Sequence, residues 1–226
     1  MEVNLESTVA ARLASVRARI AVAGGAPDVT IVAVTKGFGP EAVEAALHAG
    51  LVDIGENYAQ DLERKACELP PAAARACRWH FLGRVQRNKV RPLAARVYLW
   101  QSVDRVSAGA EIARRATGAK VLVQVNVSGE EAKNGCRPEE APGLIDDLLG
   151  LGLDVRGLMT VGRAGPPEEA RAGFRRLTEI ADQLGLPERS MGMTDDLEVA
   201  VQEGTTMVRV GRALFGARPV PSDLRR

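Results

Sequence analysis

The sequence predicts an α/β fold: a single (β/α)8 TIM-type barrel of parallel strands, preceded by an extra N-terminal helix. Three observations carry this. Short β-rich runs alternate with amphipathic helical stretches along the chain, giving roughly eight strand–helix units. Several runs are nearly continuous in apolar residues, as parallel strands covered on both faces are. The length of 226 residues suits one barrel, which typically takes about 250, and no Pro-, Gly- or Ser-rich linker divides it. A doubly wound open sheet is the competing architecture. It usually has fewer strands and a Gly-rich first turn, which is missing here.

The elements follow in order. Within residues 1–25, Val9, Leu13, Val16 and Ile20 recur at helical spacing with charges between them, which predicts an amphipathic helix. The strand runs are Val29–Thr35, Leu51–Gly55, Arg78–Leu82 and Val97–Val103, then Lys120–Val127, Asp154–Val161, Arg189–Met193 and Thr205–Val210. Pro40–Ala49 reads as a helix with Pro in its first turn and Gly50 as its stop. Pro138–Leu149 and Pro167–Leu184 share that grammar, and Asp195–Glu203 stops at Gly204. The stretch Gly162–Pro167 is either a plain connector or an active-site loop after the sixth strand. Residues 217–226, with two prolines and several charges, read as a loose tail, so the whole of 1–226 is one domain.

Composition narrows the function classes. Only 4% of residues are aromatic although 46% are hydrophobic, so Ala, Val and Leu must supply most of the core. The net charge of +1 argues against a nucleic-acid binder, and the basic patch Arg84–Arg91 reads as a solvated face. There is neither a cleavable leader pattern nor a run near the roughly 18 apolar residues of a membrane span, so a soluble, cytoplasmic protein is expected. An odd cysteine count (Cys67, Cys77, Cys136) without CxxC spacing fits a reduced compartment and inert buried thiols, with no metal site.

Lys36 closes the first strand, where barrel side chains converge at the C-terminal mouth. A lysine in a partly dry cavity loses charge readily and becomes a nucleophile toward an aldehyde; the plainer alternative is a surface lysine at a strand exit. Ser190–Thr194 (SMGMT), before the helix expected at Asp195, offers hydroxyls, a glycine and helix N-terminal N–H groups, the parts of an anion site. Barrels often bind phosphate through the loops after strands seven and eight, which neighbour strand one on closure. Alternation puts Met207, Arg209 and Gly211 on one strand face and Val208 and Val210 on the other. If the valines pack under the helices, Arg209 points inward and needs an acceptor, either an acid such as Glu56 or Asp195 or a ligand atom. His80 reads as a satisfied core histidine, His48 as exposed, and Lys133 as a solvated loop lysine whose alternative is a second amine near the mouth.

These segments, taken together, resemble the pyridoxal phosphate homeostasis proteins. The resemblance rests on VAVTK ending at Lys36, GENY at Gly55–Tyr58, WHFLG at Trp79–Gly83 and QxNK at Gln86–Lys89. It continues with SMGMT at Ser190–Thr194 and VRVGRALFGAR at Val208–Arg218, in order across most of the chain. That family is similar to the barrel half of alanine racemase and lacks the racemase's second, β-rich domain, for which no room is expected here after Arg218. The resemblance implies pyridoxal 5'-phosphate (PLP) as cofactor, held as an aldimine (Schiff base) on Lys36. It implies that Arg209 faces the pyridine nitrogen, that Asn57 lies near the ring, and that Ser190, Thr194 and the backbone of Gly211 and Arg212 hold the phosphate. Position 212 often carries threonine in the family, so Arg212 loses a hydroxyl.

The resemblance implies a cytoplasmic PLP carrier of little or no catalytic efficiency that passes PLP to PLP-dependent apo-enzymes as a monomer or weak dimer. The rival readings are an amino-acid racemase, a class I aldolase-type barrel using Lys36 on a sugar phosphate, and an interaction protein with a vestigial site. A racemase needs a second acid/base opposite the substrate carbon. Tyr58 and Tyr98 are the only tyrosines, and neither has an obvious route to that place.

Overall fold

The computed structural model describes residues 5–130 and 133–218. Eight parallel strands close in sequence order, with β8 (Met207–Val210) hydrogen-bonded back to β1 (Thr30–Val34) through Thr30↔Met207 to Ala33↔Val210. Between them lie β2 (Asp53–Glu56), β3 (Arg78–Phe81), β4 (Val97–Val103), β5 (Lys120–Gln124), β6 (Asp154–Met159) and β7 (Glu188–Ser190). The expected barrel is therefore the observed one. Its strands are mostly shorter than the apolar runs because pairing stops where the chain turns into the mouth loops.

Helices cover the outside. Helix α1 (Leu5–Val22) buries Val9, Leu13, Val16 and Ile20, the four residues whose spacing predicts it. The others are α2 (Pro40–His48), α3 (Ala59–Glu68), α4 (Pro71–Ala76), α5 (Arg87–Leu93), α6 (Val106–Arg115), α7 (Ala141–Gly150), α8 (Arg171–Gln183), α9 (Leu197–Gln202) and α10 (Arg212–Phe215). Residues Pro138–Glu140 and Pro167–Ala170 form 3-10 turns leading into α7 and α8, so the prolines sit ahead of the α-helices rather than inside them. Among the described residues only four residues of helix follow β8, and α1 packs against α2, α9 and α10. The N-terminal helix thus occupies the place that the eighth barrel helix would take. Arg19 fastens it there, with Nε and Nη2 on the two oxygens of Glu198 and a second bond from Nη2 to the Thr194 carbonyl at 2.8 Å.

The core has two parts. The main cluster lies between strands and helices and contains Val208 and Val210. A second, small cluster fills the barrel itself: Val32, Leu99, Leu122, Met159 and Met207. Strands β6 and β7 approach so closely that a Cβ on Gly157 would meet the carbonyl oxygen of its partner Glu188 at 1.9 Å. Polar residues share this interior, among them His80, Gln101, Ser190 and Arg209, all at most 5% exposed.

Beside the end of β1, Lys65 of α3 is fully buried and paired with the fully buried Glu56. Its Nζ also donates to the Thr35 carbonyl at 2.7 Å, and the Thr35 hydroxyl donates to Glu56 at 2.6 Å. Breaking one side of a buried pair leaves an uncompensated charge. Lys65→Met is expected to cost about 3–5 kcal/mol, and the double change Glu56→Gln, Lys65→Met to regain much of it. Urea denaturation of the three proteins checks this; a single-variant loss below about 1 kcal/mol would contradict it.

Candidate functional site

The site lies at the C-terminal mouth, in a cavity of about 700 Å³. Lys36 reaches it from the end of β1, Asn57 from the end of β2, Thr194 from the loop after β7, and Arg209, Gly211 and Arg212 from β8 and the turn beyond. Six of the seven residues singled out in the sequence therefore meet at one place. Ser190 does not line the cavity. Its register opposite Met207 and Met159 sets it one layer below the mouth, fully buried, with its hydroxyl engaged by Gln101 and Arg209.

Lys36 is half-buried. Burial lowers its pKa, the Arg218 and Arg209 charges lower it further, and Glu56 opposes them. Arg209 points inward, as the outward packing of Val208 and Val210 requires. Its Nη1 donates to Ser190 Oγ at 2.7 Å and its Nη2 to the Thr160 carbonyl at 2.6 Å. Neither expected acid is its partner: Glu56 is taken by Lys65 and Thr35, and Asp195 by Arg212. Burial pushes the Arg209 pKa down to about 10, with Asp196 opposing, so the guanidinium remains charged at neutral pH.

The turn after β7 differs from the expected one. The strand ends at Ser190, and the next helix begins at Leu197 rather than Asp195 and is only six residues long. Asp196 Oδ1 accepts the Met193 N–H at 2.6 Å, so the loop is organised by a carboxylate. Thr194 Oγ1 accepts the Ala213 N–H at 3.2 Å, joining the loops after β7 and β8. Arg212 pairs with Asp195 at the exposed rim. Ala217 and Arg218, expected to begin a loose tail, line the cavity, and Arg218 lies against Gly37; residues 219–226 are outside the described residues.

Other expectations resolve simply. His80 is satisfied on both ring nitrogens. His48 pairs with Glu6 at the surface. Lys133 is a partly exposed loop lysine: it pairs with Glu130 and donates to the Gly162 carbonyl at 2.8 Å, tying together the loops after β5 and β6. Cys136 is buried and Cys77 partly so, their thiols pushed by burial up to about 12 and about 11, whereas Cys67 is exposed. Tyr98 is near the start of β4, at the opposite end of the barrel from Lys36, and Tyr58 is exposed. Among the described residues no cluster fit to hold a metal occurs, and no helix is long and apolar enough to cross a membrane.

The residues present suit a phosphorylated aromatic aldehyde. A half-buried amine, a charged guanidinium and a threonine hydroxyl face one cavity, and the buried Asn57 Oδ1 has no hydrogen-bond partner among the described residues. Residues 8–219 match the model of the alanine racemase N-terminal domain. A protein of Pseudomonas aeruginosa named pyridoxal phosphate homeostasis protein is 44% identical over 225 residues, covering 94% of this chain and 96% of that one. A crystal structure of an unknown protein from Bifidobacterium adolescentis superposes with a TM-score of 0.87 at 33% identity, over 95% of this chain and 97% of that one. PipY of Synechococcus elongatus, solved with PLP bound, gives 0.78 at 32% identity, over 92% and 100%.

The lowered pKa of Lys36 sets its reactivity. Deprotonated amine appears at lower pH than for an ordinary lysine, with its pKa of about 10.4. Labelling by trinitrobenzenesulfonate, read by peptide mapping across pH, is expected to rise earlier at Lys36 than at exposed lysines. Arg218→Met removes one neighbouring cation, so the Lys36 profile is expected to move to higher pH. A profile that stays in place would show that Arg218 does not act on Lys36.

Proposed function

The chain belongs to the family of pyridoxal phosphate homeostasis proteins, and on that premise we propose that it binds PLP at Lys36 and holds and releases it for PLP-dependent apo-enzymes. The observation that carries this reading is Lys36 itself: a half-buried lysine of lowered pKa, facing the same cavity as a buried arginine. PLP, when bound, supplies an aldehyde that condenses with a primary amine. Lys36 supplies that amine. Arg209 presents a charged hydrogen-bond donor toward the pyridine nitrogen, and Asn57 offers its unpartnered oxygen near the ring. Thr194, with the backbone of Gly211 and Arg212, takes the phosphate. Ser190 serves this site through Arg209 rather than by touching phosphate.

Holding PLP asks less of a protein than turning over a substrate on it. Neither tyrosine lines the cavity, so neither provides a second acid/base opposite Lys36. Borohydride reduction of the loaded protein followed by peptide mapping is expected to place the pyridoxyl group on Lys36. Lys36→Ala is expected to abolish the absorbance of bound PLP while leaving the fold intact. Label found only on Lys133 or Lys89 would overturn the assignment.

The phosphate contributes a second, separate test. Pyridoxal lacks the group that Thr194 and the β8 turn are proposed to hold, and charge-assisted hydrogen bonds are worth about 1.5–3 kcal/mol each. Pyridoxal is therefore expected to bind at least roughly tenfold more weakly than PLP in an absorbance titration. Equal affinities would move the anchor away from these residues.

A further inference from the structure

A buried arginine with no carboxylate in hydrogen-bonding contact must be held by other means. The acid whose charge acts on Arg209 is Asp196, whose Oδ1 is engaged by the Met193 N–H. Arg209 gives one N–H to Ser190 Oγ, so that oxygen accepts. Ser190 then donates its own proton to Gln101 Oε1 at 2.7 Å. The nitrogen of the same amide lies 2.6 Å from His80 Nδ1. An amide nitrogen only donates, so Nδ1 carries no proton and the ring proton is on Nε2. Nε2 lies 2.9 Å from Asp53 Oδ1, and Arg78 holds the other oxygen at 2.6 Å. Every link points the same way, from Arg209 at the mouth to a carboxylate at the start of β2.

The direction of the chain is not arbitrary. Turning the Gln101 amide over would aim two donors, amide and guanidinium, at Ser190 Oγ and would face its carbonyl oxygen toward Nδ1. A neutral imidazole would then need its proton on Nδ1, which would leave Nε2 and Asp53 as two acceptors facing each other. With His80 neutral the links therefore reverse together or not at all, and the carboxylate end fixes which way they run. All four members between Arg209 and Arg78 are at most 7% exposed, so bulk solvent does not reach them.

We propose that Ser190, Gln101, His80 and Asp53 are positioning residues for Arg209: their one-way chain makes Ser190 an acceptor and fixes the guanidinium before any ligand arrives, leaving its remaining N–H groups for the cavity. Their relevance to the PLP ring rests on the function proposed above, but the chain exists in the unliganded protein and is tested there. In 15N-labelled full-length protein without PLP, His80 is expected to show a single tautomer with the proton on Nε2, and the Arg209 Nη groups to exchange slowly. Gln101→Met keeps the side-chain length and cuts the chain. It is expected to give mixed His80 tautomers and faster Nη exchange, and to weaken PLP binding roughly tenfold. Asp53→Asn, remote from the cavity, is expected to change the same two signals, which a purely local packing role would not do, and it serves if the Met variant does not fold. An Nδ1–H tautomer in the parent protein, or variants that leave Arg209 exchange unchanged, would overturn the proposal. A parent protein that takes up no PLP would instead overturn the proposed function and leave the His80 and Arg209 signals to decide the relay.

Discussion

Inside a closed barrel bulk water does not reach, so each inward-facing polar group needs a partner in the interior. That constraint organises the rest of this molecule. The barrel interior holds a small apolar plug and, beside it, a run of polar side chains bonded in series to one another. Burial raises the Asp53 carboxyl, but the hydrogen bond from His80 and the charge and hydrogen bond of Arg78 outweigh it and hold the group below the usual range. At the other end, the same dryness lowers Arg209 and Lys36. One physical cause thus acts on three groups, and the neighbours decide how each responds.

The lysine at the mouth depends on a second dry arrangement. Glu56 and Lys65 are both fully buried and both bonded to Thr35, the residue before Lys36. The pair holds the backbone from which Lys36 projects, while the Glu56 charge tempers the fall in its pKa. A lysine whose pKa burial lowers is a better amine nucleophile than one at the surface. Arg218, Arg209 and Lys36 place three basic groups around one cavity, an arrangement that favours an anionic ligand.

Much of this was legible in the sequence, and the reasons are specific. Alternation in β8 placed Arg209 inside because Val208 and Val210 are apolar enough to fix the register. Lys36 was legible because it ends an apolar run and precedes a turn. The polar interior was legible only at His80, which reads as a satisfied core histidine; its partners Asp53 and Gln101 each interrupt an apolar strand, and one polar residue in a strand reads as an isolated exception until the barrel stacks them. Ser190 was read as a mouth residue because strand pairing, and not composition, decides that β7 stops there. The short helix α9 was anticipated two residues early because Asp195 turns out to Arg212 and the Asp196 carboxylate turns back to the Met193 N–H, so the helix begins only at Leu197. Arg218 was missed because a charged segment next to prolines looks like solvent-facing tail.

The place of α1 in the ring has a consequence for how the chain is made. The helix that completes the wall between α9 and α2 is synthesised first, but its fastening residue, Arg19, waits for Glu198, 179 positions later. Strand β1 likewise waits for β8. Contacts this distant in sequence are slow to form. Until the last strand emerges from the ribosome, the amphipathic face of α1 and the open edge of β1 are unpartnered surfaces in a crowded solution. The cavity, drawn from both ends of the chain, is therefore assembled at the final step of folding, and a ligand captured there would report that the ring has closed.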